Sequence, residues 1–389
     1  MIQKVNYSPI NINTLQPLKI PQKPVLFRGN NVDEINKIAD QVSPVELMKH
    51  INELSSSRMQ GRGAGQEGIE LAKEYIANKF KEYGLQPVKN IGLESYFEPF
   101  IMPKVSVKSS PRGPYTSGQL FEVRNDTPTR TYNVLGMIKG TEDPDKFVIV
   151  TGHYDHLGKD EKNNIVFPGA NDDATGIAAM LETARIMSKE KAPKKSVIFA
   201  ALSGEEAGLI GAKNLSKDMI ESGIPVKQVE VLNLEMLGAI GGDKLEIWDQ
   251  ARTQWKNTIK LPMVEAQNMS NDILKVADKL GVKTSIFHNT CPADAREFSR
   301  NGIPAVTLIW DSDLEKNHPT YHCTEDTPDR IDKKILLTAS KVIAAASYYI
   351  ANRTSESDSN NKQLIANAEK RALEREAYKQ NAINLKVGV

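Results

Sequence analysis

The sequence predicts an α/β protein, a three-layer sandwich in which a central mixed, mostly parallel sheet is flanked by helices. Two observations carry this. Short apolar runs, "NVLGMI", "KFVIVTG", "SVIFAALS", "EVLNLEML" and "AVTLIW", recur along the chain, and they are continuous rather than alternating, as in strands covered on both faces. Most are separated by helical patterns such as "TGIAAMLETARIMS", where Ile177, Met180, Leu181, Ala184 and Met187 share one stripe. With 389 residues and 40% apolar content, the chain is long enough to bury a large core.

Taken in order, residues 1–43 are rich in Pro, Asn and Ile without helical periodicity and are expected to form an extended arm. The folded domain is expected over 44–352. It begins where Ser43 can cap a helix and Pro44 suits its first position. "GIELAKEYIANKFKEYGL" places Ile69, Ala72, Ile76 and Phe80 at helical spacing and ends at Gly84, a C-terminal stop. A polar, Pro-containing connection is expected around 103–128 and a lid-like insertion, holding Trp248 and Trp255, over about 239–271. "NKQLIANAEKRALEREAYKQ" makes 353–389 a charged helical tail with a poor apolar stripe.

Composition removes several functions. Fifty basic against 49 acidic residues create no broad field for nucleic acid or an anionic membrane, so partners are met at local sites. No run reaches the length of a membrane span, and Ile335–Ile350 is broken by Thr338, Ser340, Lys341 and Ser347. The amino terminus has no charged segment followed by an apolar one, which fits either a cytoplasmic chain or one whose signal has been removed. Two cysteines, Cys291 and Cys323, are too few for a disulfide framework and fit one bridge or two thiols.

Chemistry gathers at the ends of the apolar runs. "KFVIVTG" leads into His153, Tyr154, Asp155 and His156; "SVIFAALSG" into Glu205 and Glu206; "EVLNL" into Glu235. "PGANDDATG" adds Asp172 and Asp173 in a Gly-flanked turn, and "HPTYHCTEDTPD" adds His318 and His322. Ligands in such sheets bind beyond the carboxyl ends of the strands. Carboxylates crowded among histidines in a dry cleft need a cation to offset them, and mixed imidazole and carboxylate donors suit zinc. Two histidines and three or four carboxylates exceed what one catalytic zinc takes, so two metals per chain are expected.

In this order, these five motifs resemble those of the zinc-dependent aminopeptidase and glutamate-carboxypeptidase-like family of co-catalytic metallopeptidases. The resemblance covers about residues 44–352 and includes "SSRMQGRGAG". It implies that His153 and Glu235 bind one metal, Glu206 and His322 the other, and Asp172 bridges both through a cis peptide to Asp173. It implies Glu205 as general base toward the attacking water, so no Ser or Cys nucleophile is required. Asp155 is expected to accept the other imidazole N–H of His153, and Asp326 and Thr327 to hold the His322 loop. Two departures stand out. "NLEM" carries Glu235 where the family places aspartate, and "PADAREF" keeps Asp294 but has Ala293 and Ala295 where the family has Ser and His.

The implied activity is a two-zinc exopeptidase acting on peptides, an aminopeptidase first, secreted or periplasmic. Alternatives are a carboxypeptidase, a single-zinc glutaminyl cyclase of the same fold, or a catalytically silent binding protein. Singly, each motif has a plain structural reading as a surface pair, a helix start or a capped turn. His50 and His288 read as ordinary histidines, and His156 as a neighbour of the site rather than a ligand. His318 competes with His322, but only His322 has the spacing to Asp326 and Thr327. Cys323, beside His322, would be an unusual donor in such a set.

Overall fold

The computed structural model describes residues 31–107, 121–249, 263–287 and 291–353. Their centre is an eight-stranded sheet of β1 (Phe97–Val107), β2 (Phe121–Ile138), β3 (Asp143–His153), β6 (Lys195–Leu202), β7 (Val229–Glu235), β8 (Leu245–Trp248), β9 (Thr284–Phe287) and β10 (Ala305–Trp310), in the order β1-β2-β6-β3-β7-β10-β8-β9. β4 (Gly158–Asp160) and β5 (Ile165–Phe167) form a separate small hairpin. β3 pairs in parallel with β6 and β7, and β7 with β10, while β2 and β8 join this block antiparallel. All five apolar runs lie in this sheet.

The block is covered on both faces, which explains why its strands do not alternate in polarity. Val148 and Val150 of β3 and Phe199 of β6 point to one core, while Phe147, Ile149, Ile198 and Ala200 point to the other. The first face carries α1 (Asn31–Ala39), α2 (Pro44–Leu54), α3 (Glu67–Glu82), α4 (Ala174–Met187), α6 (Met263–Lys279) and α9 (Lys333–Asn352). The second carries α5 (Ile210–Glu221) and α7 (Ala295–Arg300). A short helix, α8 (Leu314–Asn317), follows β10.

α2 starts as expected, with Ser43 Oγ accepting the Glu46 N–H and Pro44 first in the helix. α3 buries Ile69, Ala72, Ile76 and Phe80 and stops at Gly84, whose φ of 75° suits glycine. Among the described residues, α9 alone has the length and hydropathy to cross a membrane. It is the core helix instead, with Leu336, Ala339, Val342, Ile343 and Ile350 fully buried.

Three expectations are corrected. Residues 31–39, placed in an extended arm, form α1, which buries Ile35 and Ile38 against α9; residues 1–30 lie outside the described ones. Of the lid expected over 239–271, the described residues 239–249 and 263–271 pack into the fold. β8 hydrogen-bonds β10 on one side and β9 on the other, and α6 buries Met269. Trp248 stacks on Phe287 with centroids 4.7 Å apart, whereas Trp255 and the tail over 354–389 lie outside the described residues. The connection around 103–128 includes the outer limbs of the β1–β2 pair, with a register shift at Pro103/Lys104. Cys291 and Cys323 are both thiols and are not joined.

One buried carboxyl gives a pH prediction. Glu98 on β1 takes a 2.5 Å hydrogen bond from Asn133 on one oxygen, while its other oxygen has no partner among the described residues. Burial pushes its pKa up to about 8, against the Asn133 bond. The folded chain therefore holds a proton that the unfolded chain loses near pH 4.5, and stability falls as pH rises between 4.5 and about 8, by about 1.4 kcal/mol per pH unit at the steepest. Glu98→Gln removes this penalty. Thermal melts should show the variant gaining several degrees over wild type at pH 8 and little at pH 4.5; an equal gain at both would refute the titration.

Candidate metal centre

The carboxyl ends of β3, β6 and β7 set the floor of the site. His153 is the last residue of β3 and Glu235 the last of β7, and these strands are parallel neighbours. Asp172 comes from the loop before α4, Glu206 from the turn after β6, and His322 from the segment after α8. His153 Nε2 lies 3.1 Å from Asp172 Oδ1 and 3.4 Å from Glu235 Oε1. His322 Nε2 lies 3.2 Å from Asp172 Oδ2 and 3.1 Å from Glu206 Oε2. Donors held at 2.0–2.1 Å around a tetrahedral zinc stand about 3.3 Å apart. The protein distances bracket that edge length. Asp172 turns one oxygen to each group and is their shared corner.

All five expected ligands thus converge, together with Glu205, whose charge feels His153, Glu206 and Glu235. His153, Asp172, Glu206, Glu235 and His322 are buried. Glu205 remains partly exposed, as a group that meets solvent and substrate must be. The extra methylene of Glu235 is absorbed, since its Oε1 reaches His153 while Oε2 is left without a partner among the described residues.

The charges do not balance by themselves. Burial and neighbouring carboxylates drive Asp173 and Asp294 well above the usual carboxylate range, and the protein packed around the partly exposed Glu205, with Glu206 and Glu235, drives it the same way. Burial also opposes charge on Asp172, but His156 and the imidazoles of His153 and His322 outweigh it and hold Asp172 well below that range. His322 likewise brings Glu206 down to about 2 despite burial. The surrounding carboxylates lift His153 and His322 well above an ordinary histidine, against the burial that would lower them. Surplus negative charge here draws protons onto its own histidines, and a divalent cation is the natural replacement for them.

The loop carrying Asp172 is clamped from two sides. Asp326 accepts the N–H groups of Asn171 (2.8 Å) and Asp172 (3.1 Å) on its two oxygens. Arg62, fully buried, donates to the carbonyls of Tyr154 (2.8 Å), Leu54 (2.7 Å), Pro168 (2.7 Å) and Gly169 (2.8 Å). The Asp172–Asp173 peptide is cis. Asp173 caps α4 through Gly176 N–H, and its carboxylate also accepts the N–H groups of His153 and Met236, tying the ends of β3 and β7 together. Gly152 makes room for it, because a Cβ there would sit 2.8 Å from Asp173 Oδ2.

Two supporting roles differ from expectation. His153 Nδ1 is 3.0 Å from the Asp155 main-chain carbonyl and 3.8 Å from its carboxylate, so the backbone accepts the imidazole N–H. The Asp155 carboxylate instead accepts the N–H groups of Glu205 (3.2 Å) and Glu206 (3.4 Å) and fixes the turn that presents both. Burial lifts Asp155 to about 6 against the pull of His153. Asp326 grips the Asp172 loop rather than the His322 loop, and Thr327 Oγ1 bonds Glu325 O.

His318 is not in the cluster. Its Nε2 donates to Trp310 O (2.9 Å) and its Nδ1 meets Asn171 Nδ2 (2.9 Å), so it braces the same loop. His322 has a φ of 56° and stacks on Tyr321 at 3.7 Å. Cys323 Sγ points to Tyr321 O. His50 pairs with Tyr75 in the α2–α3 layer, and His288 lies outside the described residues. Asp294 is buried beside the centre, with both carboxylate oxygens unpartnered among the described residues.

Sequence reasoning gave no role to Arg62 or Asn171 and saw Asp173 only as the partner in a cis peptide, whereas it placed His156 beside the site, where it lies. Arg62 had one signal, a lone charge inside the glycine-rich "QGRGAG". Arg62→Met should cost about 3 kcal/mol or more, because several buried carbonyls lose their donor at once. Calorimetry of the metal-free protein checks this, and Arg62→Lys should recover only part, as ammonium cannot reach all of those acceptors.

A sequence model of peptidase family M28 matches residues 133–347, more than half of the chain. A probable zinc metalloprotease of Leptosphaeria maculans is 29% identical over 226 residues, covering 56% of this chain and 47% of that protein. Aminopeptidase YwaD of Bacillus subtilis is 28% identical over 249 residues, covering 62% and 50%. The chain spans about half the length of these curated relatives. Among solved structures, a zinc aminopeptidase from Bacillus subtilis superposes with a TM-score of 0.62 over 82% of this chain and 97% of its own, at 18% identity, a likeness of fold. With the sheet, the order of the motifs and the family match in agreement, the chain belongs to peptidase family M28.

Proposed function

We propose that the protein is a two-zinc exopeptidase that removes residues from the amino end of peptides. The observation that carries this is the pair of donor groups sharing Asp172, His153 with Glu235 on one side and Glu206 with His322 on the other, with Glu205 beside them. The names of the two aminopeptidase relatives support the choice of peptide end.

Bound there, the ions would polarise the scissile carbonyl, lower the pKa of water and offset the developing oxyanion. The chain supplies the rest. Glu205 takes the proton of the attacking water as the acyl C–O bond forms, then delivers it to the departing amine as the C–N bond breaks. Asp155 holds Glu205 through its main-chain N–H, so the base is aimed without its carboxylate being engaged. Asp173 keeps His153 and the residue after Glu235 in register. Arg62 and Asp326 keep Asp172 from turning away.

The test is the end from which a defined peptide shortens. Zinc-loaded protein is incubated with one peptide bearing a free amino terminus and with its acetylated counterpart, and products are read by mass spectrometry. Loss of amino-terminal residues from the free peptide alone is expected. Shortening from the carboxyl end would replace this reading with a carboxypeptidase, and no shortening by protein carrying two zinc ions would overturn it. Action outside the cytoplasm belongs to the same proposal, on the strength of the family resemblance; fractionation that finds the protein only in the cytoplasm would reject it.

A further inference from the structure

We propose that His156 is a third imidazole of the metal pair, its Nδ1 completing a four-residue donor set with Asp172, Glu206 and His322. This rests on the two-zinc reading. His156 Nδ1 lies 2.9 Å from Glu206 Oε1 and 3.6 Å from Asp172 Oδ2. These distances bracket the edge of about 3.3 Å expected between donors on one tetrahedral zinc. Its ring faces that of His322 edge-on, with centroids 5.8 Å apart and planes at 60°, so two imidazoles approach the same carboxylates from different sides.

No well-aligned hydrogen bond accounts for this placement. The His156 ring is buried, yet neither of its nitrogens, nor Glu206 Oε1, has a hydrogen-bond partner among the described residues. At 2.9 Å the nitrogen and oxygen are close enough to bond, so the oxygen must lie off the ring's N–H axis. Two donor atoms that face a common point, rather than each other, have this geometry. Leaving three such atoms unmatched in a buried site is costly, and a cation between them satisfies two at once.

The ring is held in this pose. His156 N donates to Arg62 O, and the Cγ–Cδ2 edge packs on Gly169, where a Cβ would come within 2.5 Å of Cγ. With φ at 63°, Gly169 is in the left-handed region that favours glycine. The Arg62-clamped loop therefore positions Asp172 and His156 together.

The two ions then differ. His153, Asp172 and Glu235 form one donor trio and His156, Asp172 and Glu206 another; His322 adds its contacts with Asp172 and Glu206 to the second, which is therefore the more nearly closed of the two. The second ion is the tightly held one. The first is the exchangeable one.

X-ray absorption at the zinc edge, on protein carrying two zinc ions per chain by elemental analysis, counts the imidazoles. Three per zinc pair are expected in wild type, falling to two in His156→Phe. In the same variant one ion should bind more weakly by over 100-fold, beyond the 10–100-fold typical of losing a residue that merely supports a ligand, while the other stays within a few-fold. His156→Asn, a smaller polar replacement, gives the same readings if Phe does not fold. Two imidazoles per zinc pair in wild type would overturn this inference and leave the two-zinc reading standing. Fewer than two zinc ions per chain would overturn both.

Discussion

Glu205→Gln is expected to lower kcat by about 10³-fold or more while both zinc ions remain bound. The amide is the same size and sits in a partly exposed position, so packing gives no reason for the fold to change. It cannot accept a proton. Asp155 holds residue 205 by its main-chain N–H, so the replacement stays aimed at the same place. Glu205 is also absent from both donor groups, which is why loss of activity and loss of metal should separate. Steady-state kinetics on variant protein of measured zinc content checks this, and a kcat within tenfold of wild type would remove Glu205 from its role as base.

Asp172→Asn is expected to reach both ions together. The aspartate gives Oδ1 to the His153 side and Oδ2 to the His322 side, and an amide keeps only one oxygen. Affinity for at least one ion should fall by over about 100-fold, more than the loss of a supporting residue costs, and hydrolysis should fall below detection. A thermal readout is independent of activity. Saturating zinc raises the wild-type midpoint, since a ligand bound only to the folded state stabilises it in proportion to RT ln(1 + [L]/Kd), and that rise should shrink in the variant. An unchanged rise would mean Asp172 is not shared.

Much of this centre was legible in the sequence because of where strands end. A continuous apolar run signals a strand covered on both faces, and its last residues emerge into the crevice where ligands bind. His153 and Glu235 are those residues, and Glu205 and Glu206 follow one turn later. What escaped notice was held by main-chain contacts. The Asp155 carboxylate grips the N–H groups of residues 205 and 206, and Asp326 those of 171 and 172; main-chain N–H groups leave no side-chain pattern to read. Arg62 acts on carbonyls in the same way.

The fold's misses have a similar origin. β8 and β9 are four residues each, too short for either periodicity to declare itself; β8 is buried through its pairing with β10, and β9 is half-buried against α6. α1 carried Ile35 and Ile38 at helical spacing, but at nine residues it draws its stability from docking on α9. Glu98 was invisible for a different reason, since a carboxyl on β1 becomes a buried proton carrier only once Asn133 and the sheet close around it.

The two-ion centre is tested most directly by elemental analysis of the protein purified without chelator and then dialysed against micromolar zinc. Two zinc ions per chain in wild type, with one or none in Asp172→Asn, is the expected result. One zinc per chain with full peptidase activity would contradict it.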